Sequence, residues 1–408
     1  VSTAHRSTPT TARPRYGAPA VAVFAVEDTT VQLQWRHLRP GLLRVRVGGG
    51  DPSDRTRPGV EVHHEVVDPA GTLVIGPLAP GRRHVIEVEG TPLGNRGRPR
   101  RIEATTLRSP PGAELCRLAT ISDLHLGTTD FGHLSTIRER PEPAVAHPIR
   151  CASAAIGEAT AWGAQQLVVK GDITDYGKAD QWRAYAELVA RSTLPVDGLV
   201  GNHDRANEIR SRGAVPPEEA ARLFGLSLAL PLLVRELPGL RIVMADTTIP
   251  GRNQGQVGAV ADDLLDAVAD ATADQAVLVA LHHQLQPWHL AEGVPKGIPH
   301  DESLRFLEHL ARAHPRVVVT SGHTHRHRRW SHAGITTTQV GATKDYPGVW
   351  AGYVVHEGGL RQLVQRIGRP DCIRWTERTR RAAAGAWRYV APGPLASRCF
   401  TIDWDPRP

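Results

Sequence analysis

Five short polar blocks carry donor atoms that could act together: Asp123-Leu124-His125, Gly171-Asp172-Ile173-Thr174-Asp175, Gly201-Asn202-His203-Asp204, His282-His283 and Gly322-His323-Thr324-His325. Asp123 and His125 alternate along a strand, so both can face one side and offer a carboxylate and an imidazole to one cation. Gly171 lets the backbone turn sharply and leaves the Asp172 carboxylate free to bridge two ions. Asn202 adds a neutral amide oxygen, His282 and His323 add imidazoles, and His325 reaches the neighbouring ion. The set reads as two half-sites sharing Asp172. Mixed oxygen and nitrogen donors without thiolate suit Mn, Fe or Zn better than Ca or a structural cysteine-zinc site.

Each block stands at the end of an apolar run, at 118–121, 167–169, 199–200, 276–281 and 317–319. Such runs read as strands of a parallel sheet buried on both faces. Sites in open α/β sheets form at the carboxyl ends of strands, which lets blocks far apart in the chain converge on one crevice. Helical patterns at 150–163, 179–192, 217–224, 259–271 and 301–313 alternate with these strands and predict an α/β domain with a largely parallel core. Short β runs at 326–331, 335–340 and 351–355 predict an antiparallel closing section. A helix is expected at 371–389, followed by Pro-rich coil.

In this order the blocks resemble those of the calcineurin-like metallophosphoesterases: DxH, GDxx(D/N), GNH(D/E), a lone His, then GHxH, matched from Asp123 to His325. The resemblance covers about half of the chain and implies a layered αββα sandwich. It implies one ion held by Asp123, His125, Asp172 and His325, and a second by Asp172, Asn202, His282 and His323. His203 would be the catalytic histidine near the leaving group and Asp204 its orienting carboxylate. The implied reaction is hydrolysis of a phosphate ester, with a hydroxide shared by two divalent ions as nucleophile and His203 protonating the departing alkoxide.

Purple acid phosphatases carry a tyrosinate ligand in GDxxY, whereas Asp175 stands at that position here and Tyr176 comes one residue late. An iron(III)-tyrosinate centre is therefore not expected. The stretch Asp246-Thr247-Thr248-Ile249-Pro250-Gly251, a helix, and then Leu281-His282-His283-Gln284 are similar to bacterial class III cyclic nucleotide phosphodiesterases, a group that includes glycerophosphodiesterases. The HHPP frequent there is His282-His283-Gln284-Leu285 here. A phosphodiesterase is the expectation. The alternatives are a purple acid phosphatase-like monoesterase without the tyrosinate, and a metal-poor protein-binding scaffold on the same fold.

Residues 1–18 read as a disordered arm, and seven short β runs between 21 and 107 predict a small all-β, immunoglobulin-like sandwich over 19–110. Its features resemble fibronectin type III or the sandwich that precedes the catalytic domain of purple acid phosphatases. Val31 to Trp35 looks like the strand with the core tryptophan, and Leu78-Ala79-Pro80-Gly81 like the turn before the sixth strand, with His84 closest to the turn's usual tyrosine. Ser109-Pro110-Pro111-Gly112 is the expected linker. The metallophosphoesterase domain is expected at 114–368, and a basic helix and tail at 369–408. His63 and His64 point to opposite faces of a strand and do not read as a metal site.

The chain has 408 residues, 40% apolar and 22% charged, with a net charge of +7. The charge divides as +6 over 1–113, −4 over 114–365 and +5 over 366–408, so the acidic part coincides with the proposed dication site. No run of five basic residues occurs and aromatic residues are 5%, so nucleic acid is not an expected partner. The arginines from Arg374 to Arg381 read as the wet face of a helix. Cys116, Cys151, Cys372 and Cys399 lack CxxC spacing and read as reduced thiols. No segment approaches the roughly 20 apolar residues that span a bilayer, and a cytoplasmic location is expected. The expected partner is a small phosphorylated substrate. His133, His147, His289 and His300 read singly as surface or loop histidines, but the two insertions holding them, 128–148 and 284–300, are candidates with Phe131 and Trp288 for a substrate rim.

Overall fold

In a computed structural model, residues 20–48, 59–132, 135–140, 143–205, 213–289 and 295–404 are described. The arm expected at 1–18 and His133 lie outside them. The first elements form two antiparallel sheets. Strands β1 (Ala20–Val26), β2 (Val31–Arg36) and β5 (Gly71–Ile75) make one; β3 (Gly41–Gly48), β4 (Val60–Val66), β6 (Arg83–Gly90) and β7 (Asn95–Thr105) make the other, in the order β4-β3-β6-β7. Alternate residues Leu33, Trp35, Leu43, Val45, Ile86 and Val88 are buried, as the period of two requires. His84 Nε2 donates to the Ala79 carbonyl, 3.1 Å away, and so closes the turn at the place closest to the usual tyrosine of such sandwiches.

Two six-stranded sheets follow. The first contains β8 (Glu114–Ile121), β11 (Gln166–Lys170) and β12 (Val196–Leu199), which run parallel, then β19 (Val349–His356), β20 (Gly359–Arg366) and β21 (Phe400–Asp403) in antiparallel array. The second has the order β13 (Leu232–Leu237), β14 (Leu240–Ala245), β15 (Ala276–Leu281), β16 (Val317–Ser321), β18 (Ile335–Gln339), β17 (Arg328–His332), parallel except at its two edges. Ile242, Met244, Leu278, Ala280 and Val318 face the first sheet, while Val243, Val277, Val279 and Val319 face helices α4 (Ala261–Ala269) and α5 (His300–Ala313). Both faces of these strands are covered, which explains their unbroken apolar sequence. Helices α1 (His147–Ala161), α2 (Ala179–Ala190) and α3 (Pro217–Phe224) belong with the first sheet, completing an αββα sandwich. Strands β9 (Asp130–Phe131) and β10 (Ile137–Arg138) form a small hairpin in the insertion before α1.

Several expectations fail at the end of the chain. The helix expected at 371–389 stops early: α6 covers Pro370–Thr379, and a short α7, Trp387–Val390, follows a break where Ala383, Ala384 and Gly385 all have positive φ. As far as Trp404 the last part is not simply coil, and residues 405–408 lie outside the described residues. After α8 (Leu395–Arg398), β21 returns to the first sheet beside β20. This segment also docks the sandwich, since the buried Arg398 guanidinium donates to the Phe24 carbonyl, and β20 adds a second contact, Gln32 exchanging two hydrogen bonds with the Arg366 backbone. All four cysteines are buried and unpaired. Among the described residues no helix is long and apolar enough to cross a membrane.

Candidate metal centre

The loops after β8, β11, β12, β15 and β16 meet where the parallel strands of both sheets end. Asp123 and His125 do not alternate along β8, as expected from spacing; the strand stops at Ile121, and both residues sit in left-handed backbone, φ 55° and 46°. Asp172 (48°), His323 (66°) and His325 (52°) do the same. Positive φ is uncommon outside glycine and collects at functional sites, and five of the seven expected ligands have it. Two glycines let these loops touch: a Cβ on Gly322 would collide with Ser122 Oγ, and one on Gly201 with the Asp172 backbone nitrogen.

The side chains converge in two sets. In the first, His125 Nε2 lies 3.3 Å from His325 Nε2, and His325 Nε2 lies 3.4 Å from Asp123 Oδ1. In the second, His282 Nε2 lies 3.2 Å from both Asn202 Oδ1 and His323 Nδ1. Asp172 stands between them, with Oδ2 3.6 Å from His125 Nε2 and Oδ1 3.3 Å from His282 Nε2. All seven are buried except the partly covered His325.

These spacings fit a bound cation. Two nitrogens each about 2.05 Å from a zinc-like ion at tetrahedral or octahedral angles stand roughly 2.9–3.4 Å apart, which spans the facing imidazole distances. All four outer ring nitrogens have oxygen partners, among them His282 Nδ1 with the Lys170 carbonyl (2.8 Å), His325 Nδ1 with Asp345 Oδ2 (2.6 Å) and His125 Nδ1 with Asp175 Oδ1 (3.2 Å). Donating outward fixes the tautomer and turns a lone pair inward, the usual support of a metal-bound histidine. His323 Nε2 meets the Lys296 carbonyl at 3.1 Å.

Electrostatics point the same way. Burial pushes the Asp172 carboxyl up, but the charges of His282 and His203 outweigh it and hold the group well below the usual carboxylate range. Burial would lower His282, yet Asp172 raises it to about 9; Asp345 and Asp123 likewise raise His325 to about 10 against burial. Their facing partners go down, His323 to about 3 and His125 to about 4, chiefly through burial.

His203 departs from expectation in its support. Its Nδ1 lies 3.0 Å from the Asp175 carbonyl, and burial is outweighed by Asp172 and Asp175, which raise its pKa to about 9. Asp204 does not orient this ring. Its carboxylate instead accepts from the backbone N–H groups of Ile173, Thr174 and Gly201 and from the Thr174 hydroxyl, so it ties two loops together. Sequence reasoning missed Asp175 and Asp345. Asp175 could have been read from its place three residues after Asp172; Asp345, in a coil 20 residues after His325, carries no local signal.

Of the other histidines, His147 is not a surface group: it is buried at the start of α1 and stacked on Trp375 at 3.8 Å. His300 faces the Gln286 carbonyl, and the exposed His289 pairs with Asp301. Phe131 stacks near His325, 6.3 Å between ring centres, with Trp387 6.0 Å beyond. Trp288 is half exposed and covered by the Arg328 guanidinium.

Known proteins match this chain at moderate to low identity. A probable cyclic nucleotide phosphodiesterase of Rhodococcus erythropolis is 25% identical over 181 residues, 43% of this chain and 56% of the relative. A cAMP/cGMP dual specificity phosphodiesterase of Mycobacterium tuberculosis is 27% identical over 186 residues, 43% of this chain and 54% of the relative. The chain spans about half the length of these curated relatives. Among solved structures, a purple acid phosphatase from yellow lupin (Lupinus luteus) aligns over 86% of this chain and 72% of its own at 13% identity, with a TM-score of 0.45. The calcineurin-like phosphoesterase pattern matches residues 116–327, which span all five blocks, and the chain belongs to that family.

Proposed function

We propose that this chain hydrolyses phosphodiesters at a dinuclear divalent-metal centre. Asp123, His125, Asp172 and His325 would hold one ion, and Asp172, Asn202, His282 and His323 the other. The observation that carries this reading is the placement of the two Asp172 oxygens, one toward each donor set. Mn, Fe or Zn suits donors that are all nitrogen and oxygen.

The chemistry supplied by two such cations is Lewis acidity toward the phosphoryl oxygens and a water acidic enough to attack near neutral pH. His203 Nδ1–H donates to the Asp175 carbonyl, so the proton it can give up is the one the imidazolium carries at Nε2. From there it protonates the leaving alkoxide, a contribution of roughly 100-fold to 10,000-fold. Asp345 and the Lys170 carbonyl keep His325 and His282 in one tautomer and one orientation. Asp204 keeps the loops carrying Asp172 and Asn202 in register.

The preference for a diester rests on the relatives, which are named phosphodiesterases. Its test is a panel with Mn: bis-nitrophenyl phosphate, cyclic nucleotides and glycerophosphodiesters against nitrophenyl phosphate. A higher kcat/KM on at least one natural diester than on any monoester is expected. The opposite order would make the enzyme a monoesterase.

A further inference from the structure

Arg36, Arg374, Arg378, Arg380, Arg381 and Arg388 line a cleft of about 600 Å³ between the sandwich and the C-terminal segment. Catalysis as derived above uses none of them. One carboxylate, Glu377, lines the same cleft; it pairs with Arg380 at 3.0 Å and is shared with the buried Arg366 at 2.8 Å. Asp68 takes Arg374, at 2.8 Å. Among the described residues no carboxylate pairs with Arg36, Arg378, Arg381 or Arg388. Arg388 lies 4.7 Å over the Tyr389 ring, a contact that holds its guanidinium by the face and leaves the N–H edge available.

Guanidiniums that line one cleft of this volume repel one another, and salt screens such repulsion only beyond a Debye length of ~8 Å at physiological ionic strength. That repulsion costs stability unless an anion relieves it. The planar guanidinium fork matches phosphate oxygens two at a time, which lysine cannot do. We propose that this cleft binds a small anion carrying two or more phosphate groups, at a site separate from the metal centre. The volume falls within the range of about 300–1,000 Å³ typical of small-ligand sites. Walls stand on both sides, Arg36, His37, Pro69 and Ala70 on one and the segment from Arg374 to Arg388 on the other.

The test is calorimetric titration of the full-length, metal-loaded protein with tripolyphosphate at fixed free Mn. It is run beside the double variant Arg381→Ala/Arg388→Ala and, from the opposite wall, Arg36→Gln. The metal centre is common to all three proteins, so differences between them read the cleft. Tripolyphosphate should bind at least tenfold more tightly than orthophosphate, weaken at least tenfold in the double variant and at least threefold in Arg36→Gln. Turnover of a nitrophenyl ester should stay within twofold. Should the double variant fail to fold, Arg36→Gln decides alone. Equal tripolyphosphate affinity in wild type and the folded variants overturns the proposal. So does tighter binding of a 20-nucleotide single strand or of anionic vesicles, lost in the same variants, which would make the cleft part of a macromolecular surface.

Discussion

His203 is held by Asp175 rather than by its chain neighbour Asp204: its Nδ1 lies 3.0 Å from the Asp175 carbonyl and 3.4 Å from the Asp175 carboxylate. The same carboxylate oxygen lies 3.2 Å from His125 Nδ1, so one side chain ties the proposed proton donor to a proposed metal ligand. Asp175→Asn keeps the shape and removes the charge that favours protonated His203. An alkyl phosphodiester, whose leaving group needs a proton, should lose about tenfold or more in kcat/KM. A nitrophenyl ester should lose much less. Equal losses on both esters would show that Asp175 only supports the metal site.

Asn202 and His203 are adjacent but are proposed to act on different partners. Asn202→Ala should lower the occupancy of the second metal, because the amide oxygen lies in the donor set around His282 Nε2. His203→Ala should keep both metals and slow alkyl esters selectively. Elemental analysis of the two purified variants, with rates on the paired esters, checks both halves.

Asp204→Asn tests the structural role found for this carboxylate. An amide cannot accept all four of the hydrogen bonds that Asp204 takes from Ile173, Thr174 and Gly201, and its NH₂ faces donors. The buried loss should cost about 2–4 kcal/mol, or roughly 5–10 °C in thermal midpoint. Selectivity between the paired esters should persist at 25 °C. A change in selectivity without a change in midpoint would return Asp204 to the role expected from the sequence.

His147 gives a pH dependence. Burial, then the Lys344 charge, lowers its pKa to about 2; its ring stacks on Trp375, its Nε2 has no hydrogen-bond partner, and its Nδ1 lies beyond hydrogen-bond reach of Glu139 Oε2, at 3.8 Å. The unfolded chain therefore binds one more proton between about pH 2 and 6.5, and stability falls as pH drops below 6.5. His147→Phe should flatten the slope of unfolding free energy between pH 5 and 6 by up to about 1.4 kcal/mol per pH unit. Denaturant melts at several pH values measure it; an unchanged slope would show that His147 is charged in the fold.

The strands leading into the site were legible because each is buried on both faces, and an unbroken run such as Val277-Leu278-Val279 follows from that. The blocks were legible because metal chemistry limits which residue types can stand there. What escaped the sequence depends on distant partners. Asp345 matters only because β18 and β19 bring it to His325, and β21 reads as coil until β20 lies beside it. The spacing of Asp123 and His125 suggested a strand, whereas two left-handed residues turn them inward. The helix expected through 389 breaks at Ala383-Ala384, residues that locally favour helix.

The central claim is that Asp172 joins two metal ions, and metal titration of chelator-treated protein tests it most directly. Activity and bound metal are measured together, for wild type and Asp172→Asn. The account predicts that wild-type activity reaches its plateau at two divalent ions per chain, and that Asp172→Asn loses at least one ion and roughly a hundredfold or more in turnover. A plateau at one ion, full activity after chelation, or near-wild-type turnover with two ions in Asp172→Asn would contradict it.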